Sequence, residues 1–273
     1  MKIKYVTILS AALFTVNALA ASAPVDVPSD AQVDAVVKKM EDSGALDRAF
    51  DRAVQRYQAR AAQQQRDQAE AEAKKSASLA LNARKPDSVI DHVRGNPDAT
   101  ISLIEYSDVE CPFCKNFQQT PGLLLSNFDG KVNWIWRHFP LPFHEPMATK
   151  EAVAAECANK LGGPKAYWNF IDKMFAGTRS NGQGIPGDSP LQVLARAEGL
   201  DVESFNACLD SKSMAVRVQL DMADGNNAGV SGTPTTIIRN NKTGEVLVSV
   251  GFNSEDVIAA QIQQLLKSKD VVN

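Results

Sequence analysis

Glu105-Tyr106-Ser107-Asp108-Val109-Glu110-Cys111-Pro112-Phe113-Cys114 is the stretch on which the reading of this chain turns. Ahead of the cysteines, Thr100–Tyr106 is an Ile- and Leu-bearing run that reads as a buried strand. Behind it, Cys-x-x-Cys opens a helix. A cysteine at a helix N-terminus meets unpaired amides and the positive end of the helix dipole, and both favour its thiolate. Pro112 suits the first helical turn, where a missing N–H costs nothing. Cys114, further into the helix, is placed to attack a mixed disulfide formed on Cys111. The pattern therefore assigns Cys111 as nucleophile and Cys114 as resolving thiol. Half of a zinc site is the rival reading, but a structural zinc needs four ligands. Cys157 and Cys208 are isolated and no histidine pair stands at ligand spacing, so neither a metal nor another cofactor is expected.

Downstream, Val132–Phe139 reads as a second strand. Thr235–Arg239 and Val246–Val250 flank Asn240-Asn241-Lys242-Thr243-Gly244, a hairpin signature. Helical patterns fill the space between: Pro146–Leu161, stopped by Gly162-Gly163, then Lys165–Phe175, Pro190–Glu198, Val202–Leu209 and Lys212–Gly225. Ser254–Lys267 closes the chain as an amphipathic helix. Strand–helix, strand, several helices, hairpin and helix make an α/β sheet over residues 87–273 with a helical insertion at 145–229. Trp134 and Trp136 alternate as ordinary sheet residues do, and His138 and His144 are given no catalytic role.

Upstream, residues 45–85 contain neither Gly nor Pro and read as one long helix, about 60 Å if continuous. Its first half carries an apolar seam of Leu46, Phe50, Ala53 and Tyr57. Val33, Val36, Val37 and Met40 mark a shorter helix closed by Ser43-Gly44. Two consecutive amphipathic stripes need something to pack against, so 24–60 is expected to be an oligomerisation region and 61–86 a helical linker. A solvated, partly frayed extension is the alternative. At the start, Lys2 and Lys4 precede an apolar run ending in Ala18-Leu19-Ala20, the pattern of a signal peptide over residues 1–20. Its removal takes the formal charge from −3 to −3 − 2 = −5, which gives no reason to expect nucleic acid as a partner. Export would expose Cys157 and Cys208 to an oxidising compartment, where a structural disulfide is expected. Spacing alone does not distinguish that pair from two buried thiols.

The decapeptide, together with Arg137-His138-Phe139-Pro140 and Val230-Ser231-Gly232-Thr233-Pro234-Thr235, resembles the DsbA family of periplasmic oxidoreductases from about Ser88 to Leu266. The resemblance implies a thioredoxin fold, a buried acid beneath the active site at Glu105, and a cis-proline at Pro234. It also implies a substrate surface built from Pro112, Phe113, Thr233 and Pro234. Phe113 stands where DsbA itself has a histidine, and Thr233 where it has a valine; both departures imply a less oxidising catalyst. With the N-terminal helices they point to the DsbG-like and ScsC-like isomerases. The expectation is a periplasmic disulfide isomerase acting on misoxidised or unfolded exported proteins, recycled by a membrane redox partner. It would be a homodimer, with a trimer as the alternative. A monomeric DsbA-like oxidase and a holdase chaperone are the competing readings.

Overall fold

The computed structural model describes residues 27–211 and 213–268; the expected signal peptide lies outside them. The described chain divides between Gln65 and Arg66 into two units. In the first, α1 (Asp30–Asp42) starts at Ser29, whose backbone N–H donates to Gln32 Oε1 at 2.8 Å in a capping box. Gly44, at φ 65°, then turns the chain into α2 (Ala45–Ala80). At 36 residues α2 is about 54 Å long, ending short of the expected residue 85. No residue of α1 is buried. Val33, Val36, Val37, Met40, Leu46, Phe50 and Tyr57 are all exposed, Phe50 to 68%.

The second unit is built on five strands in the order β1-β3-β2-β4-β5. β2 (Ile101–Ser107) and β3 (Val132–His138) run parallel, joined through α3 (Pro112–Phe117) and α4 (Gln119–Asn127). Pro121 cannot donate to the carbonyl four residues back, at Phe117, which separates α3 from α4. β4 (Thr235–Asn240) and β5 (Val246–Val250) form the hairpin, antiparallel to each other and to β2. β1 (His92–Gly95) pairs antiparallel with β3 and was not expected from sequence. Every residue of β2 and β3 is buried, as strands covered on both faces must be. Their alternation sorts side chains onto two faces. Ile101, Leu103, Trp134 and Trp136 share one core with both active-site cysteines, while Ile104, Tyr106 and Ile135 share the other with Ala80 and Ala83.

The insertion packs α5 (Met147–Gly177) against α6 (Pro190–Ala197), α7 (Val202–Asp210) and α8 (Ser213–Asn227), and α9 (Glu255–Lys267) covers α4 and β4. The two helices expected at 146–161 and 165–175 run on as α5, broken only at Gly163, whose φ of 72° precedes Pro164. Cys157 on α5 and Cys208 on α7 are joined by a disulfide, with Cα atoms 5.8 Å apart. Closing a separation of 51 residues removes unfolded-chain entropy worth about 4 kcal/mol in the chain-entropy account.

On the face away from the cysteines lies a buried cation. Arg137 Nε and Nη2 donate to Asp91 at 3.0 and 2.9 Å, and Nη1 to Asp224 Oδ2 at 2.7 Å and Tyr106 Oη at 3.1 Å. Nη2 also donates to the Arg84 carbonyl at 3.0 Å, so all five donors are used. Arg84 reaches Asp91 and Asp221 and fastens the segment after α2 to the same cluster. Burial works against these charges, but the pairing wins: Asp91 sits below its ordinary pKa and Arg137 above its own.

Candidate active site

Two anchored acids set the entry to α3. Asp108 accepts N–H bonds from Glu110 and Leu141, both at 2.9 Å, and bonds His144 Nδ1 at 2.7 Å. Glu110 accepts from the Thr178 hydroxyl and from Gly184 N–H at 2.9 Å, while its carbonyl accepts Asn181 N–H at 2.7 Å. The residues before Cys111 are thereby tied to the η-turn at Pro142–His144 and to the loop after α5. Sequence reasoning missed both acids. Their one visible signal was that they stand three residues and one residue before Cys111.

Cys111 is the N-cap of α3 with extended backbone (φ −80°, ψ 120°), and Pro112 occupies the first turn. Its thiol is pulled down to about 6 by a hydrogen bond from the Cys114 thiol, against the opposing effect of burial. The amides of Cys114 and Phe113 assist. Cys114 is fully buried, and burial, followed by the Cys111 charge, pushes its thiol well up. One sulfur is thus set to ionise at neutral pH and the other to hold its proton.

Glu105 is fully buried on the cysteine face of β2, with Oε2 accepting the Trp134 indole N–H at 2.8 Å. Burial pushes its carboxyl up to about 7, against the nearby Ser107 hydroxyl and the Trp134 indole bond, with the Cys111 charge adding to the rise. Trp134, read from sequence as an ordinary sheet residue, is therefore this carboxyl's partner. His138 and His144 are buried structural groups: His138 bonds Tyr167, Trp136 and Glu156, and His144 bonds Asp108. Burial opposes ionisation of Glu156, yet His138 and His92 hold it well below the usual carboxylate range.

The Thr233–Pro234 peptide is cis, as is Glu145–Pro146, which sequence did not suggest. Cys111 Sγ donates to the Thr233 carbonyl at 3.3 Å, so Thr233 and Pro234 lie against the first cysteine. Phe113, next in the helix after Pro112, is 60% exposed. Cys111, Pro112, Phe113, Cys114, Glu105, Thr233 and Pro234 thus meet at one place. Cys157 and Cys208 stand apart, within the helical insertion.

A family model described as thioredoxin matches residues 87–249. DsbA2 of Pseudomonas aeruginosa is 32% identical, covering 67% of this chain and 97% of that one, with a TM-score of 0.58. BcfH of Salmonella enterica Typhimurium shares the fold at 17% identity and a TM-score of 0.65, covering 87% of this chain and 99% of that one. The Na(+)/H(+) antiporter NhaA 1 of Salinispora arenicola is 35% identical over 148 residues, 54% of this chain but 21% of that protein. The chain spans only 21–25% of the length of such curated relatives. Among the described residues no helix is long and apolar enough to cross a membrane. The mixed α/β architecture, the paired cysteines at a helix start and these likenesses agree: the chain belongs to the thioredoxin family, among its DsbA-type thiol–disulfide oxidoreductases.

Proposed function

We propose that this protein is an exported, periplasmic disulfide isomerase that exchanges disulfides through Cys111 and Cys114. Cys111 attacks a client disulfide and Cys114 resolves the mixed disulfide when rearrangement stalls, with Glu105 taking the proton of Cys114. Pro112, Phe113, Thr233 and Pro234 form the surface that meets the client backbone, and Cys157–Cys208 staples the insertion. The clients are misoxidised or unfolded exported proteins, and a membrane redox partner keeps the centre reduced.

The observation that carries isomerase over oxidase is the apolar stripe on α1 and α2, exposed in the single chain from Val33 to Tyr57. A stripe of that length in water favours pairing with a second copy, and a homodimer brings two reactive centres to one client. The monomeric oxidase reading draws its support from Cys111, since a thiolate this stable favours the reduced enzyme and makes its disulfide a stronger oxidant.

Val36→Asp with Phe50→Asp is the decisive variant, because both positions are exposed and charges there cost a monomer little. Deleting residues 24–83 is a poorer test, since Ala80 and Ala83 pack in the core on the sheet face opposite the cysteines. Sedimentation should show the natural chain as an oligomer and the double variant as a monomer. Refolding of scrambled ribonuclease should slow sharply in the variant while insulin reduction persists. A natural chain that sediments as a monomer, or a monomeric variant that isomerises at the natural rate, selects the oxidase.

A further inference from the structure

β2 brings a second polar side chain to the cysteine face. Glu105 and Ser107 are two residues apart on one strand, so both lie on the face that carries Ile101 and Leu103. Ser107 is 1% exposed and its backbone is fixed: its carbonyl accepts Phe139 N–H at 2.8 Å, and it registers with His138 across the ladder. Glu105 commits Oε2 to Trp134, leaving buried Oε1 without a hydrogen-bond partner, and buried Ser107 Oγ has none either. Two adjacent, desolvated and uncommitted oxygens are costly in a purely structural role.

Cys114 completes the arrangement. The Glu105 carboxylate acts on its thiol only through space, whereas the Ser107 hydroxyl lies close enough to both groups to favour the charged form of each. A hydroxyl donates and accepts at once, so it can pass a proton on without changing its own state.

We propose that the Ser107 hydroxyl carries the proton between Cys114 and Glu105, making Ser107 a third catalytic group of the resolving step. The proposal rests on the reading of Cys114 as resolving thiol and Glu105 as its base. In the step, the Cys114 thiol gives its proton to Ser107 Oγ as Ser107 gives its own to Glu105 Oε1. Cys114 Sγ then attacks Cys111 Sγ; the Cys111–client S–S bond breaks, the Cys111–Cys114 bond forms, and the client sulfur leaves as a thiolate holding the electron pair. The two enzyme thiols are oxidised, the client disulfide is reduced, and the proton rests on Glu105 until solvent removes it. In the opposite direction the same path returns the proton to Cys114.

The full-length protein can be loaded at Cys111 with thionitrobenzoate, whose release by Cys114 is followed by stopped flow against pH. The natural rate should rise with an inflection somewhat below about 7, the Glu105 value in the reduced protein, because the Cys111 charge that helps to raise it is absent from the mixed disulfide. Ser107→Thr keeps the hydroxyl and should keep that inflection. Ser107→Val has the same volume without it, and should resolve at least about tenfold more slowly at neutral pH with the inflection lost. Ser107→Ala against the natural chain is a second comparison that adds no volume, should the larger side chains unfold the strand. A hydroxyl needed only for packing would lower the melting temperature and leave the pH profile in place, which would overturn the proposal. So would Val or Ala variants within twofold of their partners. Glu105→Gln separates the underlying reading: an inflection that survives it removes Glu105 as base. An inflection lost there but kept in Ser107→Val removes the relay alone.

Discussion

The two faces of the central sheet each bury charge, and they treat it in opposite ways. On one, Arg137 has a partner for every N–H, and Asp91 and Asp224 are paired to it within 2.9 Å. On the other, one adjacent position along β2 from Tyr106, Glu105 has a single indole partner and an uncommitted oxygen. Arg137 and Glu105 are both fully buried. Pairing fixes the charge state of the first cluster, whereas desolvation leaves the second near the point of titration. A buried charge that is fully paired holds structure, and one left half-paired is available for chemistry.

The largest break in this contrast comes from removing the nucleophile. Cys111→Ser should lower turnover of a small disulfide by about three orders of magnitude or more, while Cys114→Ser should accumulate a mixed disulfide visible by mass spectrometry. Undoing the paired face acts on stability instead. Arg137→Met leaves Asp91 with only Arg84 as countercharge and Asp224 with no side-chain cation, and should cost about 3–5 kcal/mol in urea unfolding. Exchange per folded molecule should remain within about twofold of the natural rate.

Glu105→Gln should have the opposite sign. Below about pH 4.5 the carboxyl is neutral in the folded and the unfolded chain and costs nothing. Between 4.5 and about 7 only the unfolded chain ionises, so the stability of the reduced protein falls as pH rises through that window. The variant should gain about 3 kcal/mol at pH 8 and almost nothing at pH 4, read by urea melts at both. A variant no more stable at pH 8 would show that Glu105 is paired as well as Arg137 is. The smallest effect sharpens the reactive side: Phe113→His adds a donor beside Cys111 and should move the alkylation midpoint down from about 6 by about one unit or less.

Much of the reactive face was legible in the sequence. Cys-Pro-Phe-Cys after an apolar run specifies a strand, a helix start and a nucleophile together, and the buried acid that the family resemblance implied at Glu105 is indeed buried. The hairpin announced itself through Asn240-Asn241-Lys242-Thr243-Gly244. The paired face was not legible. Arg137 owes its state to residues 84, 91 and 224, whose closeness to it no local pattern encodes. β1 was missed because four residues with one fully buried position carry no period to detect. Ser107 looked like the end of a strand, which it is; what sequence could not say is that the strand ends close enough to Cys114 for the hydroxyl to act on its thiol.

Trp134 has a consequence for how the molecule can be watched. Its ring lies 4.8 Å from Trp168 and 6.2 Å from Trp136, so all three tryptophans of the chain form one cluster. That cluster is hydrogen-bonded to the Glu105 carboxyl, whose pKa burial raises and the Cys111 charge raises further. Emission from the whole protein therefore originates at a single spot wired to the reactive centre. Its intensity should therefore differ between the oxidised and reduced protein, so that turnover could be followed by emission alone without attaching a dye.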